Sequence, residues 1–499
     1  MAKSELDNLA ARRALFFRSA EIYANAPSGF WEYGPIGTKI KNKIIEFWRK
    51  ELVAKNNFLE IDGSIILPKD VFVASKHLES FNDPIVQCKK CNSLYRADKL
   101  LESITSSIVP ESLSTAELTK MIKEHNAKCP KCNSREFTEV RRFNMMMRVD
   151  IGAAEQKQEC YLRPETCQSI FLDFLRIYKT SRMNLPLGIA QVGKSFRNEI
   201  SPRQSLLRSR EFTQMEVEIF FNPKKIDEIE NFDEVANYKL MLMRLGKGKI
   251  EKISCEKAVK EKIISGKLVA YYLARVQQFY NAIGIPIAKM RFRELAKDER
   301  AFYARETWDF EVSTSVGWVE LMACNYRTDF DLAGHAKQSK QDLSVNEDGQ
   351  KFIPHVFELS AGLDRLFYVL LDLSLRKEKK AKGERIYLDL IPRVAPFIAG
   401  VFPLVNKDGL DKIAREIYTD LLNNGFDVLF DSKGSIGRRY ARIDEIGVPF
   451  AITVDYQTKD DNTVTIRERN SAEQKRVKIM NLSEIMAKLL RDKGYFKEL

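Results

Sequence analysis

From Phe212 to Ile219 the residues alternate without a break, with Phe212, Gln214, Glu216 and Glu218 on one side and Thr213, Met215, Val217 and Ile219 on the other. A period of two places successive side chains on opposite faces of an extended strand. Upstream, Arg197 and Glu199 share a face at the same spacing, and the intervening Ile200–Glu211 carries Pro202, Arg203, Arg208 and Arg210, a composition for a long hairpin loop. The segment therefore predicts an antiparallel pair that shows arginine, glutamate and an aromatic plate on one floor, with further arginines above it. Such a floor suits a nucleotide: guanidinium on phosphate, a flat ring against the base, a carboxylate accepting from an exocyclic amine. A salt-bridged amphipathic hairpin with no ligand would show the same pattern.

A second arginine follows far downstream, in Glu358-Leu-Ser360-Ala-Gly362-Leu-Asp-Arg365, at the head of the apolar run Leu366–Leu371. An arginine where an apolar helix begins is costly to desolvate unless an anion meets it. Two arginines, an aromatic plate and several carboxylates are what adenylate formation needs. A substrate carboxylate attacks the α-phosphate of ATP, so positioning and charge stabilisation suffice without a protein nucleophile. Glu320 and Glu358 are candidate metal or substrate ligands, and each is equally readable as a surface or salt-bridged glutamate.

These residues resemble motifs two and three of the class II aminoacyl-tRNA synthetases, and Phe30-Trp-Glu-Tyr-Gly-Pro-Ile-Gly37 resembles their motif one. Within the class the chain is most similar to the dimeric, archaeal/eukaryotic-like glycyl-tRNA synthetases. That likeness rests on Tyr161-Leu-Arg-Pro-Glu-Thr166, the stretch Phe196–Arg203, Arg210-Glu-Phe212, Asn325–Asp331, Pro354–Glu358 with Ser360, and Gly434–Arg442. The resemblance implies an α+β catalytic core on an antiparallel sheet flanked by helices, then a C-terminal α/β anticodon-binding domain with a mixed sheet. It implies a homodimeric, cytoplasmic glycine–tRNA ligase using ATP and Mg²⁺, with tRNA(Gly) as partner. By the same resemblance, Arg197, Asn198, Glu199, Arg208, Phe212, Glu320 and Arg365 would bind ATP, with Arg197 and Arg365 catalytic and Glu320 on Mg²⁺. Glu165, Glu216 and Glu358 would surround the ammonium of glycine, Arg327 would meet its carboxylate, and Ser360 would close the space at its α-carbon. Arg438, Arg439, Tyr440 and Arg467 would offer charge and stacking to anticodon bases, or form a solvated rim. Departures are small: Leu359 stands between Glu358 and Ser360 where the family has proline, and Cys167 and Ser169 replace smaller residues. The rival readings are a non-catalytic paralogue of the synthetases, and an amino-acid-activating enzyme with a non-tRNA acceptor.

Four of eight cysteines form Cys88-Lys-Lys-Cys91 and Cys129-Pro-Lys-Cys132. Two such knuckles resemble a zinc ribbon, the alternative being two reduced, metal-free turns. The other four cysteines read as buried thiols, and the four histidines show no ligand spacing. A net charge of +12 favours a polyanionic partner. No apolar run is long enough for a membrane span. About three domains fit the length of 499 residues. The expected partition is a catalytic domain over 1–385, interrupted by a ribbon-like insertion at 86–140 and a helical, lysine-rich one at about 222–305, then an anticodon-binding domain over 386–499. The second insertion would touch the tRNA acceptor stem or present a solvated face. The amphipathic stretch from Thr38 to Lys55 would serve a dimer interface or an ordinary core, and Arg376–Arg385 would be a charged hinge.

Overall fold

The computed structural model describes residues 5–107, 109–110, 113–153, 157–200, 202, 204–380 and 383–499. Arg203 of the expected loop lies outside them. The core is one nine-stranded sheet. Its strands in chain order are β1 (Leu59–Ile61), β2 (Leu187–Phe196), β3 (Glu211–Phe221), β4 (Lys239–Met243), β5 (Ile250–Ser254), β6 (Met290–Glu294), β7 (Glu306–Thr314), β8 (Gly317–Thr328) and β9 (His355–Gly362), arranged β5-β4-β6-β7-β8-β9-β3-β2-β1. Pairing from β6 to β2 is antiparallel throughout; only β1 on β2 and β4 on β6 are parallel.

The alternation of β3 is realised as read. Met215, Val217 and Ile219 are fully buried in the main core with Leu359 and Ala361 of β9. Helices α1 (Pro35–Trp48), α2 (Lys267–Ala282) and α3 (Leu363–Ser374) add to this core. The apolar stripe of α1, Ile40, Ile44, Phe47 and Trp48, is spent on the protomer's own interior and leaves nothing apolar on that face for a partner. The hairpin strand ends at Phe196, three residues short of the reading above, which carried it to Glu199. Arg197 still bonds back to Arg210 (2.9 Å), but Glu199 N–H turns onto the Arg197 carbonyl (2.7 Å), so Arg197 and Glu199 lie beyond the ladder.

Two expectations need correction. The stretch 222–305 is not a helical appendage: β4, β5 and β6 extend the main sheet, and α2 packs into the core. Leu240, Leu242 and Phe292 supply the strand-spaced apolar positions, while Lys247, Lys249, Lys257, Lys260 and Lys262 stay exposed on turns and helix rims and Lys252 on the outer strand β5. Likewise, the charged run is no loose hinge. Leu375–Lys380 and Gly383–Leu388 pair as an antiparallel ribbon, and Arg385 bonds Asp444 of the C-terminal region (2.7 Å).

The C-terminal region carries a second sheet of five strands: β10 (Ala399–Pro403), β11 (Val428–Phe430), β12 (Phe450–Val454), β13 (Thr463–Glu468) and β14 (Gln474–Lys478), ordered β11-β10-β12-β13-β14. Its first three strands are parallel and the last two antiparallel, a mixed sheet with its own core against helices Leu410–Asn423 and Leu482–Arg491. The segment 82–144 forms a separate three-stranded sheet with helices Ala97–Thr105 and Thr115–Glu124, the latter opened by a capping box between Ser114 and Glu117.

Candidate active site

Register brings the polar face together. Glu216 lies opposite Ser360 and Gln191, and Glu218 opposite Glu358, which in turn faces Asn325 on β8. Directly opposed residues stand ~4.5–5.5 Å apart at Cβ, so four adjacent strands build one polar floor. Above it is a cavity of about 650 Å³. Its wall includes Glu165, Arg197, Glu199, Arg208, Phe212, Glu320, Glu358, Ser360 and Arg365, residues drawn from segments as far apart as the 163–166 turn and α3.

At one end Arg365, in the first turn of α3, pairs with Glu320 (3.2 Å) and bonds the Leu207 carbonyl (3.2 Å). Asp309 lies on the same wall. Burial, reinforced by the charge of Glu320, raises its carboxyl well above the usual range, and Arg293 lies 3.4 Å away. In the middle, the Arg197 guanidinium sits 5.3 Å from the ring centres of both Phe81 and Phe212 and donates to the Pro164 carbonyl (3.2 Å). Arg208 reaches Glu199 at 2.7 Å. Asn198 is off the cavity wall; its backbone N–H bonds the Met145 carbonyl (2.8 Å).

The far end is lined with carboxylates. Glu165 follows Arg163, which is buried and donates to the carbonyls of Lys194 (2.8 Å) and Gly63 (2.9 Å), pinning the turn to β2. Gly193 makes room for that guanidinium, since a Cβ there would meet Arg163 Nη2 at 2.0 Å. Burial opposes ionisation of Glu165, but the hydrogen bond and field of His77, then Arg197 and Arg327, outweigh it and hold the carboxyl well below the usual range. Glu216 accepts from Thr166, from Ser360 and from Gln214 (2.8 Å). Glu358 accepts from Asn325 (2.6 Å) and Arg327 (2.8 Å), and burial pushes it up to about 8.

Arg327 is not where the resemblance put it. The side chain is fully buried and absent from the cavity wall. It forks onto both oxygens of Asp331 (2.7 and 2.8 Å), donates to Glu358 and packs 3.6 Å from the ring centre of Tyr303. Geometry makes it a support for Glu358 rather than a group open to a substrate carboxylate. Reading the sequence also passed over His77, whose Nε2 is 3.5 Å from Glu165 and whose Nδ1 shares a hydrogen bond with Ser75 (2.8 Å). A lone histidine with no ligand spacing carries no local signal. Asn325 and Asp331 were legible only as parts of a motif, and Gln214 only through its place on the polar face of β3.

In the C-terminal region Arg438 stays exposed, but Arg439 is buried and donates to backbone carbonyls including that of Leu404 (3.1 Å). Arg467 is also buried, bidentate on Asp444 (3.0 and 3.1 Å), and Tyr440 is half-buried beneath it with its hydroxyl on Thr453. Arg439 and Arg467 are therefore core braces rather than free cations.

The four knuckle cysteines converge. Cys88 and Cys132 Sγ are 3.6 Å apart, as are Cys91 and Cys129, and all four lie within 4.8 Å of one another. A tetrahedral thiolate site with ~2.3 Å metal–sulfur bonds has edges of ~3.8 Å, so the donor set fits one divalent ion. Cys160, Cys167, Cys255 and Cys324 are buried free thiols. Among the described residues no helix is long and apolar enough to cross a membrane.

Comparison with known proteins matches two families. The tRNA synthetase class II core domain (G, H, P, S and T) covers residues 147–374, and the anticodon binding domain covers residues 399–489. The glycine–tRNA ligase of Pyrococcus furiosus is 40% identical over 97% of this chain and 98% of its own length. That of Methanocaldococcus jannaschii is 39% identical over 97% and 98%, and that of Methanococcus vannielii 37% over 94% and 96%.

Proposed function

Since the chain belongs to the glycine–tRNA ligases of the class II synthetases, we propose that the cavity above the polar floor of its main sheet carries both glycine activation and glycyl transfer. The protein is an aminoacyl-tRNA synthetase: ATP and glycine give glycyl-adenylate and pyrophosphate, and the glycyl group then passes to the 3′-terminal ribose of tRNA(Gly) with loss of AMP. Nothing in the comparisons favours a non-catalytic paralogue or a different acceptor.

The observation that carries the assignment of roles is the shared wall of Arg197, Arg208, Arg365, Glu165, Glu358 and Ser360. In this reading Arg197 meets the α-phosphate where the glycine carboxylate attacks, and its charge offsets the extra negative charge on phosphorus. Arg365 and Arg208 take the terminal phosphates, Arg208 leaving Glu199 free for the adenine amino group, and Phe212 flanks the base. Mg²⁺, expected for the class, would be held by Glu320 with Asp309 beside it, and would neutralise charge between phosphates. Glu165 and Glu358 flank the glycine ammonium, with Glu216 holding Ser360 close to the α-carbon. Glycine offers no side chain, so exclusion of larger substrates is steric, an easier task than rejecting a smaller competitor, where one methylene is worth ~1–3 kcal/mol.

The same reading assigns zinc to the four cysteines, a domain boundary near residue 385, tRNA contact to the exposed Arg438, and a homodimer in the cytoplasm. Exposed Ile22 and Tyr23, close to the motif-one segment, support a partner there, in place of the stripe on α1. Pyrophosphate exchange measured with each amino acid in turn tests the activation step, and charging of tRNA(Gly) tests the acceptor. Exchange with an amino acid other than glycine, or none at all, would overturn the assignment.

A further inference from the structure

The connection between β6 and β7, residues 295–305, runs along the cavity. Glu299 near its start pairs with Arg293 (3.1 Å), and Arg305 at its end donates its backbone N–H to the Tyr326 carbonyl (2.8 Å), next to Arg327. Between these ties, Arg300, Ala301 and Tyr303 line the cavity wall. The Tyr303 ring centre lies 3.6 Å from the Arg327 guanidinium, and that of Phe171 lies 5.2 Å from the same cation. Phe171 is buried and off the wall, whereas Tyr303 is on it, so Tyr303 is the group that stands between Arg327 and open space. Its seat is rigid, because three hydrogen bonds to Asp331 and Glu358 fix the guanidinium beneath the ring. Phe302 anchors the same loop, its ring centre 5.7 Å from Phe330 and 6.4 Å from His77.

We propose that Tyr303 sets the size of the amino-acid site: its ring fills the volume that a side chain on the substrate's α-carbon would need, and so restricts the pocket to glycine together with Ser360. This deepens the assignment of that end of the cavity to glycine and rests on it. The ring's seat fixes where it stands. Glu358, which flanks the ammonium, accepts a 2.8 Å hydrogen bond from the guanidinium that carries the ring. Burial, then the charges of Glu165 and Glu358, hold the phenol well above its usual range, so Tyr303 is a neutral group beside both carboxylates. The α-carbon of an amino acid is one bond, ~1.5 Å, from its ammonium nitrogen, so groups that surround the ammonium also bound whatever the α-carbon carries. An aromatic plate suits this task, because it takes up volume without adding another charge to an end already rich in carboxylates. A larger substrate enters only if the ring leaves its cation, and a group packed on a fixed neighbour resists that displacement.

The test is pyrophosphate exchange by the full-length protein with glycine and with L-alanine. In Tyr303→Ala the ratio of kcat/KM for alanine over that for glycine should rise by ~10-fold or more, the lower end of what one methylene is worth in a fitted pocket. The KM for ATP should stay at its unaltered value. Tyr303→Phe keeps the ring on Arg327 and should leave the ratio where it was. Tyr303→Leu is smaller than tyrosine yet still covers the guanidinium, so it should raise the ratio by less, and it carries the test if urea unfolding shows Tyr303→Ala to be unfolded. A residue that only steadied the sheet would weaken exchange with both amino acids together and leave their ratio alone. An unchanged ratio in a folded Tyr303→Ala or Tyr303→Leu therefore overturns the proposal and leaves glycine activation standing, as does an equal rise in Tyr303→Phe. Absence of glycine-dependent exchange in the unaltered protein overturns the pocket's assignment and this proposal with it.

Discussion

Replacing Arg327 with alanine separates a supporting residue from one that grips substrate. The guanidinium makes three hydrogen bonds of 2.7–2.8 Å to two carboxylates in a fully buried site. Removing one partner of a buried ion pair costs about 3–5 kcal/mol, because the remaining charge has no compensation. Against a total stability of ~5–15 kcal/mol this is a large loss, shifting the folding equilibrium by roughly 10²–10⁴. Urea unfolding of Arg327→Ala should therefore show a much lower midpoint, with glycine-dependent pyrophosphate exchange weakened as a consequence. A double variant that also carries Asp331→Asn removes the stranded charge and should recover part of the stability. Lysine at 327 should restore little, since a point charge cannot fork onto both oxygens of Asp331. If Arg327→Ala unfolds at the wild-type midpoint and only its glycine KM rises, Arg327 touches the substrate after all and the reasoning fails.

Further outcomes follow from the same geometry. Arg197→Ala should abolish pyrophosphate exchange, beyond the ~10²–10³ loss typical of a single oxyanion donor; retained exchange would remove Arg197 from the mechanism. Glu358 carries a folded-state pKa of about 8, raised first by burial, so the folded protein binds more protons than the unfolded chain above the ordinary glutamate range. Its contribution is present at low pH and lost as pH rises to about 8, roughly 5 kcal/mol in all. Glu358→Gln should flatten that decline in urea midpoints between pH 5 and pH 9, whereas parallel profiles would show that Glu358 ionises normally. Metal analysis of purified protein should find about one zinc per chain, and Cys129→Ser should lose it. Arg438→Ala should weaken tRNA(Gly) binding at unchanged stability, while Arg467→Ala, which leaves the buried Asp444 with Arg385 alone, should lower the unfolding midpoint; the reverse pattern would exchange their roles.

Local pattern determined much of this protein. The period-two alternation of Phe212–Ile219 predicted both the strand and the division between polar floor and apolar back, since in a strand one residue's step reverses its face. The paired cysteine knuckles likewise announced a cluster that the fold closes. Where sequence reasoning failed, charge was read without its burial. Arg327, Arg439 and Arg467 look in sequence like cations for ligands, yet each is buried against carboxylates or carbonyls from distant segments. The lysines of 247–262 suggested a separate insertion because they crowd the exposed positions, while the sparse apolar residues around them are buried with the main sheet.

Residue types and spacings thus pointed to the chemistry proposed for the chain: three arginines for phosphates, carboxylates for an ammonium, four thiols for a metal. Only the tertiary structure decided which of those charges face open space and which are consumed in holding the others. That partition depends on strand register and on what packs behind the sheet, and both are set by contacts between residues more than a hundred positions apart, such as Glu218 with Glu358.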